Sequence, residues 1–185
     1  HHWGANWNKG FEYYLLIDKY MEDEKWKNKI KFTYIGNVPK NIHFKNTKVL
    51  NPLSGLELSN EIKKNDLYLT GSINEPSGNH HIEGAQCGLP ILYINSGGIP
   101  EYCNGYGVMF NDKNDFEDKL NESIKNYDSI SIKVKDYPLS AELMSKDFLE
   151  LFEKLVENKE KYISERIITL NNSLISRKLY SFKRK

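Results

Sequence analysis

The feature that most constrains the fold is an uninterrupted apolar run, "LPILYIN", at residues 89–95. A strand that faces water on one side alternates apolar and polar residues, and this run does not alternate, so it predicts a strand buried on both faces. Strands of this kind belong to parallel sheets covered by helices on both sides, because a parallel crossover usually carries a helix. The run therefore favours an α/β fold.

Strand and helix patterns alternate along most of the chain, which predicts a Rossmann-like, doubly wound parallel sheet. We expect residues 1–137 to form this domain, and the amphipathic stretch and basic tail at 138–185 to pack on its flank. The other predicted strands are "IKFTYIGNVP" (30–39), "TKVLNPL" (47–53), "DLYLTGS" (66–72) and "YGVMF" (106–110), and helices are predicted after Lys9, from Ser54, across 79–88, from Pro100 and in "DFEDKLNESIKNY" (115–127).

Composition excludes several classes of partner. The 26 basic and 25 acidic residues give a net charge of +1, so no long-range field attracts nucleic acid. The basic end "SRKLYSFKRK" (176–185) could touch an acidic lipid surface, but a solvated end is the favoured interpretation. Cys87 and Cys103 are expected to be reduced thiols. Without a spanning apolar run or a signal-peptide core, we expect a cytoplasmic protein.

The segment "NEPSGNHHIEGAQCGLP" (74–90) contains two glutamates separated by seven residues. It follows a predicted strand, where ligands collect in open parallel sheets. Glu75 precedes a tight turn, Asn79 begins a helix whose free N–H groups suit phosphate, and Glu83 lies about one turn further on the same face. Both carboxylates can then face a ligand with an anionic middle and hydroxyls at each end, such as a nucleotide sugar. His80 and His81 point apart, so no metal site is expected.

This segment resembles a known family. "SINEPSGNHHIEGAQCGLPILYINSGGIPEYCNGYGVMF" (72–110) is similar to the donor-binding half of retaining GT-B glycosyltransferases of the family 4 type. The shared signature is a Glu, seven residues, a second Glu, a small-residue helix, "CGLP", and a "GG-x-PE" loop. "NWNKGFEYYLLI" (6–17) is similar to the helix that follows the first strand of that domain, and the resemblance covers about residues 1–126.

The resemblance implies roles for individual residues. Glu83 would bind the donor ribose, Glu75 would contact the transferred sugar, and Lys9 would neutralise the pyrophosphate and stabilise the leaving group. The backbone amides around the helix start would meet phosphate or sugar oxygens; these are the amides of Gly78, Asn79 and His80. Three further positions are candidates. Asn37 could contact the base, and Gly97 and Gly98 could either line the crevice or serve a tight loop.

Two departures from the family pattern affect these expectations. The family usually has an arginine six residues before the lysine, and here that position is Trp3, so Lys9 acts with the helix dipole alone or His1 or His2 replaces the arginine. GT-B enzymes bind the acceptor mainly with an N-terminal domain, which we expect to lie outside this chain. No Asp-x-Asp motif is present, in keeping with a metal-independent family, and no cofactor is expected.

We therefore expect a retaining hexosyltransferase that uses a UDP- or GDP-sugar and a hydroxyl acceptor. This chain would be its donor-binding domain and would be inactive alone. Two alternatives stay open: a nucleotide-sugar epimerase of the same architecture, and a non-catalytic module that binds a nucleotide sugar or a partner chain. These residues do not identify the nucleotide base, the transferred sugar or the acceptor.

Overall fold

The computed structural model of the chain describes residues 1–165. The chain divides into two compact units, the first covering His1–Pro138 and the second beginning at Leu139. The basic stretch at 176–185 lies outside the described residues, so its contact with a lipid surface stays a prediction.

Parallel strands form the centre of the first unit. β1 (Thr33–Ile35) pairs with β2 (Lys48–Leu50), and β3 (Tyr68–Thr70), β4 (Ile91–Ile94) and β5 (Gly107–Phe110) form a second sheet in that order. All four residues of β4 are buried, as the "LPILYIN" run predicts. The strands thus lie in two parallel sheets of two and three strands.

Helices alternate with these strands and confirm the α/β fold class. Asp112 caps the helix Lys113–Lys125 through a capping box with Asp115, whereas Ser54 occupies the N-cap position of the helix Gly55–Ile62 without a side-chain cap. A 3₁₀ turn spans Trp7–Lys9, and the helices of this unit are α1 (Phe11–Tyr20), α2 (Gly55–Ile62), α3 (Asn79–Gln86), α4 (Ile99–Cys103), α5 (Lys113–Lys125) and α6 (Tyr127–Val134).

An aromatic core fixes α1 beneath the sheets. Phe11 and Tyr14 are buried, and their rings lie 5.3 and 5.7 Å from that of Tyr34 on β1. Tyr13 packs 4.7 Å from the ring of Phe110 on β5. Aromatic pairs at these separations add to the hydrophobic burial. Because Lys9 lies two residues before Phe11, the first residue of α1, the core also fixes the position of that lysine's backbone.

Both cysteines are free thiols, as predicted. Cys103 is buried, and burial raises the pKa of its thiol to about 12, while Cys87 is half-buried.

Within residues 1–165, no helix is both long enough and apolar enough to cross a bilayer.

The second unit contains α7 (Ala141–Glu157). Ser140 caps its start by accepting a hydrogen bond of 3.0 Å from the Leu143 backbone N–H. Apolar side chains recur at three- and four-residue spacing, including Phe148, Phe152 and Leu155, and no residue of the helix is buried. Packing of this helix on the flank of the first unit stays a prediction.

Candidate functional site

The loop between β3 and α3 (residues 71–78) carries the first glutamate and is held in place by the loop that follows β4. The Gly98 N–H donates to the Glu75 carbonyl at 2.8 Å, and the Asn74 N–H donates to Ser96 Oγ at 2.9 Å. Tyr102 on α4 donates from its hydroxyl to Ser77 Oγ at 3.0 Å. The backbone around Glu75 is therefore fixed at both sides of the turn.

The glycine pair makes this contact between loops possible. A Cβ on Gly97 would lie 2.3 Å from the Glu75 carbonyl oxygen, and one on Gly98 would lie 2.2 Å from the Pro76 carbonyl oxygen. Gly97 also has φ +60, which side chains rarely adopt. From the sequence, these glycines could either line the crevice or serve a tight loop. In the structure they pack against the backbone of residues 75 and 76 and so position Glu75.

Lys9 reaches the same loop from the other side. The Ile73 N–H donates to the Asn8 carbonyl at 2.7 Å, and Gly10 packs on the backbone of Gly71. This contact places Lys9 Nζ 2.5 Å from Glu75 Oε2, with side chains 29% and 14% exposed. The structure thus joins two predicted site residues into an ion pair at the mouth of the loop.

Glu83 lies on the open side of α3. Asn79 is exposed and Ala85 is buried, so one side of the helix packs against the interior and the other side is open. Glu83 Oε2 lies 2.7 Å from Nε2 of His1, and the Glu83 side chain is 44% exposed. The hydrogen bond from His1 lowers the pKa of Glu83, so the carboxylate is ionised near neutral pH. Gly78 is the N-cap residue of this helix.

Histidines form an unpredicted cluster under the start of α3. His80 is buried with Nε2 2.8 Å from Thr70 Oγ1, so its ring faces the interior and only its backbone belongs to the first turn of α3. His2 Nε2 lies 2.7 Å from Tyr14 Oη, and burial lowers the pKa of His2 to about 3. A neutral His2 cannot supply positive charge, so it does not replace the expected arginine. His1 is instead paired with Glu83.

His81 is the most unusual member of this cluster. Its side chain is fully buried, and neither ring nitrogen has a hydrogen-bond partner among residues 1–165. Burial lowers the pKa of its imidazole to about 4, with the charge of Glu75 opposing that shift. The ring packs between His80 and Tyr102, 4.9 and 5.3 Å away. Nothing in the local sequence pattern distinguishes this histidine from an exposed one.

Asn37 lies beyond β1, beside the residue that replaces the expected arginine. Its side-chain amide donates to the backbone carbonyl of Trp3 at 2.8 Å, and the Trp3 side chain is 63% exposed. Asn37 therefore lies at the end of β1, held against the backbone of Trp3, and its contact with a base stays a prediction. No group of three or more His, Cys, Asp or Glu side chains within residues 1–165 is arranged to hold a metal ion.

Comparison with solved structures identifies the fold. The chain is similar to the pneumococcal O-GlcNAc transferase GtfA, solved in complex with UDP and GlcNAc, at 15% identity and a TM-score of 0.61 over 83% of this chain and 34% of that one. It is also similar to TarM, at 15% identity and a TM-score of 0.59 over 82% of this chain and 34% of that one. These matches confirm the Rossmann-like fold of GT-B glycosyltransferases, and the chain spans about a third of the length of either structure.

Comparison of sequences identifies the family. No curated protein sequence matches the chain significantly. The family model described as glycosyl transferases group 1 matches residues 40–135, which is more than half of the 185 residues and includes Glu75 and Glu83. The chain therefore belongs to the glycosyl transferases group 1 family.

Proposed function

We propose that this chain is the donor-binding domain of a retaining glycosyltransferase of the family 4 type. The enzyme would transfer a hexose from a UDP- or GDP-sugar to a hydroxyl acceptor, without a metal ion or other cofactor. The observation that carries the proposal is the Lys9–Glu75 pair beside the start of α3, with Glu83 one turn further along the helix. This arrangement combines a cation, backbone N–H groups and two carboxylates at one edge of the sheet.

The centre of the site suits a diphosphate. The first N–H groups of α3 have no partner within the helix, and the positive end of its dipole favours an anion. The backbone groups in question belong to Gly78, Asn79 and His80. Lys9 would exchange Glu75 for a phosphate oxygen and offset the negative charge that develops when the nucleotide diphosphate leaves.

The two carboxylates suit the sugar ends of the donor. Glu75, once released by Lys9, accepts hydrogen bonds from hydroxyls of the transferred sugar. His1 contacts one oxygen of Glu83, and a carboxylate has about four acceptor positions, so Glu83 keeps capacity for the ribose hydroxyls. Asn37, at the end of β1, would contact the base.

Family membership supports glycosyl transfer, and the fold match includes a transferase that was solved with UDP and GlcNAc. In GT-B enzymes the acceptor is bound mainly by a second domain. We therefore expect this chain alone to bind donor without transferring the sugar.

Calorimetric titration of the chain with UDP, GDP and their hexose derivatives, in buffer containing EDTA, tests the proposal. Glu83→Gln and Lys9→Met should each weaken binding by roughly 10- to 100-fold, because each removes a charge-assisted hydrogen bond. Glu57→Gln, on the exposed face of α2, is the matched control and should bind as the parent does. Absence of binding by every nucleotide, or unchanged affinity in Glu83→Gln, would refute the proposed site.

A non-catalytic nucleotide-sugar-binding module is the second candidate. It is favoured by Trp3 in place of the expected arginine and by the burial of His2, since neither residue adds positive charge at neutral pH. Such a module would bind donors in the titration above, yet a two-domain protein containing it would neither transfer nor hydrolyse the sugar.

A further inference from the structure

The imidazole of His1 links the second glutamate of the site to the interior. Its Nε2 lies 2.7 Å from Glu83 Oε2, and its Nδ1 lies 3.0 Å from the hydroxyl of Tyr68 on β3. The His1 side chain is 6% exposed, whereas that of Glu83 is 44% exposed. The imidazole therefore contacts the carboxylate from its buried side, and the rest of the carboxylate is open to solvent.

The backbone and a ring contact hold His1 at this place. The N–H of the next residue, His2, donates to the Ile35 carbonyl at 3.0 Å. A Cβ on Gly36 would lie 1.9 Å from the His2 carbonyl oxygen, so the close approach to the end of β1 requires glycine. The His1 ring also packs edge-on against the Tyr68 ring, with centroids 6.0 Å apart. The position of Nε2 is thus set by contacts other than the carboxylate.

The hydrogen bonds of His1 define which ring nitrogen carries the proton. A carboxylate only accepts hydrogen bonds, so Nε2 must donate to Glu83. In the neutral imidazole Nδ1 then accepts, and the Tyr68 hydroxyl is the group that donates to it. That hydroxyl also accepts from the main-chain nitrogen of His1 at 2.9 Å, so it is used both as donor and as acceptor. Tyr68 thus selects the tautomer that holds Glu83.

A carboxylate held in this way is prepared to bind a pair of hydroxyls. A glutamate on an open helix face otherwise has several rotamers, and a ligand that needs one of them must order the side chain on binding. The bond from His1 is made to Oε2, so Oε1 keeps its acceptor positions. Ordering the side chain before the ligand arrives removes that cost and raises affinity.

We propose that His1 and Tyr68 are positioning residues for the ribose of the donor. The Tyr68 hydroxyl fixes the imidazole tautomer, and the Nε2–H of His1 holds Glu83 in the orientation that receives the ribose hydroxyls. Both residues act through Glu83 and do not touch the donor. This inference rests on the proposed function, in which Glu83 binds the ribose, and it names the residues that keep the carboxylate in place.

Titration of the chain with UDP and GDP, and with the 2′,3′-dideoxy forms of both, tests the proposal. His1→Phe should weaken binding of the preferred nucleotide by about 3- to 10-fold, because Glu83 must then be ordered on binding. The same variant should bind the dideoxy form as the parent does, since that ligand lacks the hydroxyls that Glu83 holds. His43→Phe, which replaces an exposed histidine between β1 and β2, is the matched control.

Three further variants separate positioning from packing. His1→Gln supplies an amide N–H at the place of Nε2 and should restore affinity to within about twofold of the parent. Tyr68→Phe removes only the hydroxyl and should weaken nucleotide binding by at least about twofold, again without effect on the dideoxy form. The double variant His1→Phe with Glu83→Gln should bind no more weakly than Glu83→Gln alone, because the two residues act as one unit. Circular dichroism and melting temperature check that each variant is folded.

The outcomes distinguish this inference from the proposed function. An equal loss of affinity for the full and the dideoxy nucleotide in His1→Phe would show that His1 only packs, and would overturn the inference while the donor site stands. Unchanged affinity in His1→Phe, or losses that add in the double variant, would overturn it as well. If the parent binds neither UDP nor GDP, the proposed function fails and the inference fails with it.

Discussion

Replacing His81 with leucine should stabilise the protein, because this histidine is fully buried and its ring nitrogens have no partner among residues 1–165. An unsatisfied buried polar group costs about 1–3 kcal/mol, and leucine has a similar volume without polar atoms. We therefore expect His81→Leu to raise the free energy of unfolding by roughly 1–3 kcal/mol at pH 7.

The advantage of the variant should grow as the pH falls. Burial lowers the pKa of His81 from 6.5 to about 4, so between these values the unfolded chain binds a proton that the folded chain does not. Stability contributed by the neutral imidazole is complete above pH 6.5 and is lost as the pH falls toward 4. Between pH 7 and pH 5 the parent should lose about 2 kcal/mol that His81→Leu keeps. His2 and His80 are present in both proteins, and the burial that is the largest cause of their lowered pKa values is common to both.

Urea denaturation followed by circular dichroism at pH 7, 6 and 5 measures both effects, with the slope m as a check that the unfolded state is unchanged. His43→Leu is the matched control, since His43 is exposed and its replacement should change stability little. A stability difference between His81→Leu and the parent that is the same at pH 7 and pH 5 would refute the reasoning. So would a variant less stable than the parent at pH 7.

Two further predictions concern the loops. Gly97→Ala should lower the free energy of unfolding by more than about 3 kcal/mol. Gly55 has nearly the same positive φ but open space around it, so Gly55→Ala should lower that free energy by only about 1–2 kcal/mol. Equal losses in urea denaturation would show that contact with Glu75 has no role. Asp18 accepts hydrogen bonds from the backbone N–H groups of residues 45–47 and from the Thr47 hydroxyl, which lower its pKa despite burial. Asp18→Asn should lower the melting temperature by roughly 5–10 °C, and an unchanged melting temperature would contradict it.

Local pattern was sufficient to predict much of the fold. The apolar run at 89–95 became the buried β4, and the turn before Asn79 became the start of α3 with Glu83 on its open side. These predictions succeeded because strand burial and helix facing depend on the spacing of residues near in sequence. The division into two sheets was not predicted, since strand neighbours are set by contacts between distant segments.

The site was predicted less completely for the same reason. Glu75 and Lys9 were each expected to face a ligand, but their ion pair joins residues 66 positions apart. The burial of His2, His80 and His81 depends on packing beneath α3, and histidine is found both inside and outside proteins. The adjacent glycines Gly97 and Gly98 are recognisable in the sequence as a special position. Only their contact with the Glu75 loop shows that they serve packing.

The Lys9–Glu75 pair has a consequence for product release under the proposed function. A donor brings a diphosphate that draws Lys9 away and sugar hydroxyls that compensate Glu75. Once the sugar has been transferred, the nucleotide diphosphate alone leaves Glu75 half-buried without those hydroxyls, which is costly for a carboxylate. Glu75 then competes with the phosphate for Lys9, and re-formation of the pair weakens the hold on the spent nucleotide. Completion of the reaction would thus favour emptying of the site.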